Sequence, residues 1–334
     1  MGGAYTVPKR LGISCFALCL LSLVTLVAVG CGSGQGGSSG DVRFPSRDLT
    51  YLIPYDPGGP SDREARRQQP LLEKYLGRRV IIDYKPGAGG ALGWAEASRA
   101  NPDGHLFVNV RLPHFVLQPM LQPEAGYQTD DLRMVVIFQR APIGLLVKKD
   151  SPYQDLDAFL RAAKEKPGSI SISGSGSFTP YHLTALRLEK LSGAKLKYVP
   201  FNGGAPAMTA FLGGHTTATL ATSDEIIKYQ DDIRVLAIAD ETRFALMPDV
   251  PTFKELGYDL ISVVDSGVAV PIGTPDEIVR RLEEAFLNVM RDSSIQEAMK
   301  REGSTPLAMD STEASDYVAE LEAAYKALVD EVKQ

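Results

Sequence analysis

From Leu49 onward, short apolar runs alternate with longer amphipathic ones. The apolar opening Leu49, Tyr51, Leu52, Ile53 is followed by "VIIDY" (80–84), "HLFVNV" (105–110), "MVVIF" (134–138) and "IGLLVKK" (143–149). Further on come "SISIS" (169–173), "LKYVPF" (196–201), "TATLA" (217–221), "IRVLAIAD" (233–240) and "SGVAVP" (266–271). Such runs, bounded by turn residues, predict strands. Helix-length stretches lie between them near 62–76, 91–99, 155–165, 180–192, 205–212 and 223–229. Strands and helices in alternation predict open parallel sheets with helices on both faces. The C-terminal part changes character. Ile278, Leu282, Phe286 and Val289 recur at helical spacing, as do Tyr317, Leu321, Leu328 and Val332, which predicts a helical tail packed on one sheet.

The turns that enter the helices share a composition. "YDPGGPSD" (55–62) leads from the first strand into a helix, with Ser61 as a capping residue and Asp62 in the first turn. Asp62 has two readings there: a first-turn carboxylate favoured by the helix dipole, or an acceptor for a ligand ammonium or hydroxyl. "KPGAGG" (85–90), "SGSGSFTPYHL" (173–183), "FNGGAPAM" (201–208) and "ATSDE" (221–225) repeat the arrangement. In the third, Thr179 is a candidate N-cap before Pro180 at the first helical position; in the last, Thr222 and Glu225 fit a capping box. Helix starts present unpaired N–H groups and partial positive charge, and in open sheets they gather beyond the strand ends. Five such loops predict a site for a carboxylate held by backbone dipoles rather than by a dedicated basic side chain.

The N-terminal end bears on location. Lys9 and Arg10 precede an uncharged apolar run from Leu11 to Val29 and then "AVGC" ending at Cys31. This is the pattern of an export signal over residues 1–30, with Cys31 as the lipidated first residue of the mature chain, similar to a bacterial lipoprotein box. An uncleaved membrane anchor is the other reading. The segment 31–40 is a Gly/Ser tether. Cys15 and Cys19 fall inside the signal, which leaves Cys31 alone and no disulfide in the mature chain. Nothing beyond residue 40 is apolar enough to span a bilayer.

Charge and motifs exclude several classes. The formal charge is −6; without the two basic residues of the signal, 33 Lys and Arg face 41 Asp and Glu, or −8. An acidic chain with no basic cluster argues against a nucleic acid partner. The glycine-rich turns that enter the helices contain neither G-x-G-x-x-G nor a phosphate loop, and around Ser175 and Ser177 there is no G-x-S-x-G elbow. His105, His114, His182 and His215 lack metal-ligand spacing, so no metal and no cofactor is expected; His182, in the first turn after a binding loop, is the one His kept as a ligand candidate.

The series "IPYDPGGPSDREAR", "LGRRVIIDYKPGAGGALG", "NPDGH", "SGSGSFTPYHL", "VPFNGGAPAMTAFLGG", "RVLAIADETRFALMPDVPTFKELGYDL" and "VAVPIGTPDEI" resembles, in order and over roughly residues 48 to 330, the substrate-binding receptors of tripartite tricarboxylate transporters, the TctC or Bug family. The resemblance implies an α/β, two-domain, periplasmic-binding-protein-like fold (type II, Venus flytrap) with a helical C-terminal tail. It implies a monomer, anchored outside the cytoplasm, that captures a small carboxylated metabolite and delivers it to membrane permease subunits. Ligand contacts implied in the first domain are Tyr55, Gly58, Gly59, Pro60, Ser61 and Asp62, with Ala88 and Gly89. Those implied in the second are Ser177, Phe178, Thr179 and His182, then Asn202, Gly203, Gly204 and Ala205, then Thr222, Ser223 and Asp224. The chain departs from the family in three places: Ser61 stands for a threonine, Pro70 lies inside a helix where it should produce a kink, and Asp265 replaces an aromatic residue. Asp265 would repel some dianions or meet a cationic group of the ligand.

About 290 residues remain after the tether, more than one ordinary core needs. Crossings near 141–144 and 262–267 divide them into domain I, 41–140 plus 265–334, and domain II, 141–264. Two other classes stand beside the receptor: a secreted α/β enzyme acting on a carboxylate, and a sensor for a membrane signalling protein. The missing nucleophile, metal and nucleotide motifs count against the enzyme.

Overall fold

The computed structural model describes residues 44–332, and the side chains of 44–326. The expected signal, Cys31 and the tether lie outside the described residues. The elements are β1 (Leu49–Ile53), α1 (Pro60–Leu76), β2 (Val80–Tyr84), α2 (Ala91–Ser98), β3 (Leu106–Leu112), α3 (His114–Leu121), β4 (Leu132–Lys148) and α4 (Leu156–Glu165). These are followed by β5 (Ser171–Ser175), α5 (Pro180–Ser192), β6 (Lys197–Phe201), α6 (Gly204–Leu212), β7 (Ala218–Thr222), α7 (Ser223–Lys228) and β8 (Ile233–Ile238). The chain closes with β9 (Val263–Pro271), α8 (Asp276–Arg291), α9 (Ser293–Arg301), β10 (Thr305–Met309) and α10 (Ser311–Val332).

The strands follow the order β2-β1-β3-β9-β4-β7-β5-β6, with β8 and β10 also pairing β4. The sheet is mixed, which corrects the expectation of purely parallel sheets. β1 is parallel to β2 and β3, and β5 to β6 and β7. Every pairing of β4 and the β3–β9 pairing are antiparallel. The physical reason is connectivity: β9 comes from more than a hundred residues beyond β4 yet inserts between β3 and β4, so neighbours in space are not neighbours in sequence.

A second correction concerns the two expected strands 134–138 and 143–149. They are one 17-residue strand, β4, whose first half pairs β9 and β10 and whose second half pairs β7 and β8. Pro142 does not end it, because its partner Val263 lies at the end of the β9 ladder, where a missing donor costs least. Three apolar cores form along this strand. Leu132 and Met134 to Phe138 join Trp94, Phe107, Phe115 and Phe286. Ile143, Leu145 and Val147 join Phe159, Tyr181 and Phe253. Leu146 joins Met208, Phe211 and Ile226 on the opposite face.

The C-terminal tail is not wholly helical: α8 and α10 have the expected apolar stripes, but α9 and the strand β10 lie between them. α3 escapes a periodicity reading because "HFVLQPML" is apolar nearly throughout and holds Pro119. α1 runs through Pro70 as one helix. Arg140 of β4 donates to both oxygens of the buried Asp265 of β9, Nε to Oδ1 at 2.7 Å and Nη2 to Oδ2 at 2.8 Å, and the Tyr317 hydroxyl of α10 donates to Oδ2 at 2.7 Å. Asp265 is therefore engaged by its own fold, through Arg140 and Tyr317.

Candidate functional site

The loops singled out by composition converge. β1 ends at Ile53, Gly58 takes a left-handed turn at φ 84°, and Gly59 caps α1 with Pro60 at its first position. Opposite, Gly203 caps α6, and a Cβ placed on Gly59 would lie 3.6 Å from the Ala205 nitrogen and 3.9 Å from that of Gly204. Asp56 N donates to Asn202 O at 3.1 Å, which ties the first loop to the loop after β6. A second seam joins Gly89 to Gly176, and Gln118 Nε2 donates to Ser177 O at 2.9 Å. Arg63 Nη2 donates to Asp224 at 2.5 Å, joining α1 to α7.

Between the seams is a cavity of about 10 Å³, lined by Tyr55, Gly59, Pro60, Ser61, Arg111, His114, Ser175, Tyr181 and Gly204. That volume is close to the smallest that holds one water molecule, so the loops are drawn together. Five of the expected residues line it: Tyr55, Gly59, Pro60, Ser61 and Gly204. Gly58, Ala205, Asn202 and Gly203 shape the loops immediately around it. Ala88, Gly89 and Ser177 belong to the second seam.

Several expected contacts are engaged elsewhere. Asp62 Oδ2 accepts from Gly58 N at 2.8 Å, while Oδ1 accepts from Arg66 Nε at 2.8 Å and from the Tyr84 hydroxyl at 2.6 Å. Burial pushes its carboxyl up, but these donors and the Arg66 charge more than reverse that and hold it below its usual range. In this arrangement Asp62 is a first-turn carboxylate of α1 held by Gly58, Arg66 and Tyr84. Thr179 sits at the N-cap of α5 but makes no cap bond; its hydroxyl donates to Ser175 O at 2.8 Å. Thr222 likewise occupies the N-cap of α7 without the expected capping box. Ser223 Oγ donates to Gly303 O at 2.6 Å. His182 stacks on Tyr198 at 4.6 Å and accepts from Phe178 N at 3.2 Å, supporting the positive φ of Phe178.

Four lining residues were not foreseen: Arg111, His114, Ser175 and Tyr181. Arg111 lies in the strand run "VNVRL", where alternation gives no sign that it faces a cleft. The signal available was a charged residue inside an otherwise apolar strand, which must be partnered if buried. Its Nη1 donates to Glu64 Oε1 at 2.7 Å and Ser266 Oγ at 2.9 Å, and Gln139 Nε2 also donates to Glu64 Oε1 at 2.6 Å. Burial pushes Glu64 up, against the pull of Arg111. His114 lies edge-on between Tyr55 and Tyr181 at 6.2 and 5.6 Å, and burial first, then Arg111, hold its imidazole neutral. Among the described residues no cluster of His, Cys, Asp and Glu has the arrangement of a metal site.

Glu225 stands against Gly204: a Cβ on that glycine would come within 2.6 Å of its carboxylate. Burial, then the Asp224 charge, push Glu225 up to about 7, while Arg63, Arg111 and Lys228 oppose them. A carboxyl raised above its unfolded value keeps its full stability at low pH and loses it as pH rises from the unfolded value toward 7. Substituting Glu225→Gln is expected to flatten that decline, by up to about 1.4 kcal/mol per pH unit. Urea midpoints of wild type and variant at pH 5, 6, 7 and 8 measure it. Parallel pH profiles would contradict the assignment.

The chain is 31% identical to the UPF0065 protein in the gbd 5′ region of Cupriavidus necator, over 87% of this chain and 89% of that one. It is 26% identical to BugT of Bordetella pertussis, over 83% and 86%. Among solved structures, the periplasmic binding protein BugD superposes with a TM-score of 0.82 at 25% identity, covering 86% of this chain and 98% of BugD. MatC of Rhodopseudomonas palustris, solved with bound malate, gives 0.81 at 26% identity, covering 86% of this chain and all of MatC. The fold is that of the α/β periplasmic binding proteins, and these relatives are solute receptors rather than enzymes. A profile described as tripartite tricarboxylate transporter family receptor, TctC, matches residues 65–333, and the chain belongs to that family.

Proposed function

We propose that this chain is an extracytoplasmic receptor that captures a small carboxylate between two lobes and hands it to a membrane permease. The observation that carries the reading is the convergence of the α1 and α6 starts, from opposite sides, on one cavity. Unpaired N–H groups there attract a carboxylate. Malate in the MatC neighbour supports the same ligand class. The lobes are 41–140 plus 265–334 and 141–264, joined by β4 and β9; the apolar cores on either side of residues 138–143 and 264–268 support that division. Opening about those strands admits the ligand, and closure over it excludes water and strengthens each dipole contact. Residues 1–30 are removed as an export signal, Cys31 is lipidated and 31–40 tether the receptor to the membrane. The remaining ligand contacts are Gly58, Ala88, Gly89, Ser177, Phe178, Thr179, His182, Asn202, Gly203 and Ala205, presented as the lobes part.

A thermal-shift screen of about a hundred metabolites tests this. A ligand at 100 times its Kd adds about 2.7 kcal/mol of stability, and the hits are expected among small mono- and dicarboxylates. A screen whose hits carry no carboxylate would overturn the ligand class.

A further inference from the structure

The loops offer N–H groups, but the cavity they enclose also has a cationic wall. We propose that Arg111 sets the charge preference of the cleft: its guanidinium takes a carboxylate of the ligand, while Glu64, behind it, fixes its position. The inference deepens the proposed receptor function and rests on it. Arg111 is 3% exposed and lines the cavity, with Ser61 and Gly204 among the other lining residues, whereas Glu64 does not line it. The Arg111–Glu64 pair is neutral as a whole, yet its positive member is the one presented to the ligand. Glu64 is held from several sides, by Arg111, Ser266 and Gln139, so the guanidinium is anchored through Nη1 before any ligand arrives. A pre-set fork loses little rotamer freedom on meeting a carboxylate.

His114 adds a second observation that points to a ligand. It is 1% exposed, it lines the same cavity, and its Nδ1 has no hydrogen-bond partner among the described residues. A buried polar atom left alone costs free energy that a partner recovers. Because burial and Arg111 keep the ring neutral, His114 contributes a hydrogen bond and no second charge. The cleft therefore presents a guanidinium, backed by Glu64, beside helix-start dipoles, an arrangement that discriminates acids from their amides and esters.

Calorimetric titration of the purified chain with a panel of acids (malate, succinate, glutarate and benzoate), and with malate diamide, tests the proposal. Wild type is expected to bind at least one acid and to reject the diamide. Arg111→Met is expected to weaken that acid at least about thirtyfold, the scale of a charge-assisted pair. Glu64→Gln leaves the guanidinium uncompensated and is expected to tighten it about fivefold; a residue with only a structural role would give lower stability and no tightening. The double variant Arg111→Met/Glu64→Gln leaves no buried unpaired charge, so it guards against a folding failure of the single change, and it should bind as weakly as Arg111→Met. Unchanged affinity in the double variant, or weaker binding in Glu64→Gln, overturns the assignment of Arg111 while the receptor reading stands. Failure of wild type to bind any acid overturns both.

Discussion

Replacing Arg140 by methionine is expected to lower stability by about 3 kcal/mol, the lower end of what breaking a buried ion pair costs. Asp265 is 1% exposed, and without Arg140 its carboxylate keeps the Tyr317 hydroxyl alone. The value is at the lower end because the Arg140 side chain is 37% exposed, so solvent reaches the gap. The pair also spans three elements: Arg140 and Asp265 face each other in the β4–β9 register, and Tyr317 brings α10 onto them. Arg140→Met/Asp265→Leu removes both charges together and should lose less than Arg140→Met alone, since a buried pair replaced by apolar groups is often neutral. Urea unfolding at constant m-value reads both variants. An Arg140→Met midpoint within experimental error of wild type would show the clasp to be incidental.

The same clasp marks where the sequence could be read and where it could not. Strands and helices with a clear period, such as β2, β5, α5 and α8, fall within a residue or two of expectation because local spacing determines them. The glycine-rich loops were legible for a similar reason: a turn that enters a helix needs glycine, a cap and a first-turn proline in adjacent positions. What local spacing cannot carry is a partner remote in sequence. Asp265 was seen as an anomaly, but Arg140 lies 125 residues before it and nothing in either segment announces the pairing. Arg111 and Glu64 are 47 residues apart and meet only because β3 pairs beside β1, the strand that leads into α1. β9 defeats prediction of sheet direction for the same reason. The caps failed differently: Thr179 and Thr222 occupy the N-cap positions, but the Thr179 hydroxyl turns to Ser175 O and the Thr222–Glu225 capping box does not form.

Substituting Gly176→Ala is expected to weaken ligand binding at least about tenfold. Gly176 has a φ of 76°, and a Cβ there would lie 2.7 Å from the Gly89 Cα and 2.8 Å from Thr179 Cγ2. The Gly89 contact is with backbone, which cannot rotate away as a side-chain end can. Gly89 and Gly176 lie in the loops that follow β2 and β5, on opposite sides of the cleft, so the methyl group holds the two loops apart by several tenths of an ångström and disfavours the closed form. Since the ligand shifts the equilibrium only by its preference for that form, about 1.4 kcal/mol of lost closure lowers affinity about tenfold. Left-handed strain alone costs roughly 1–2 kcal/mol in stability, and Gly193 isolates it. Gly193 has a nearly identical φ of 72°, but nothing lies within 4 Å of its would-be Cβ. Gly193→Ala should therefore reproduce the loss of stability and leave affinity intact. Titration with a ligand from the screen, with unfolding measured in parallel, separates the two terms. Equal affinities for the two variants would mean that the Gly89–Gly176 approach is not part of closure.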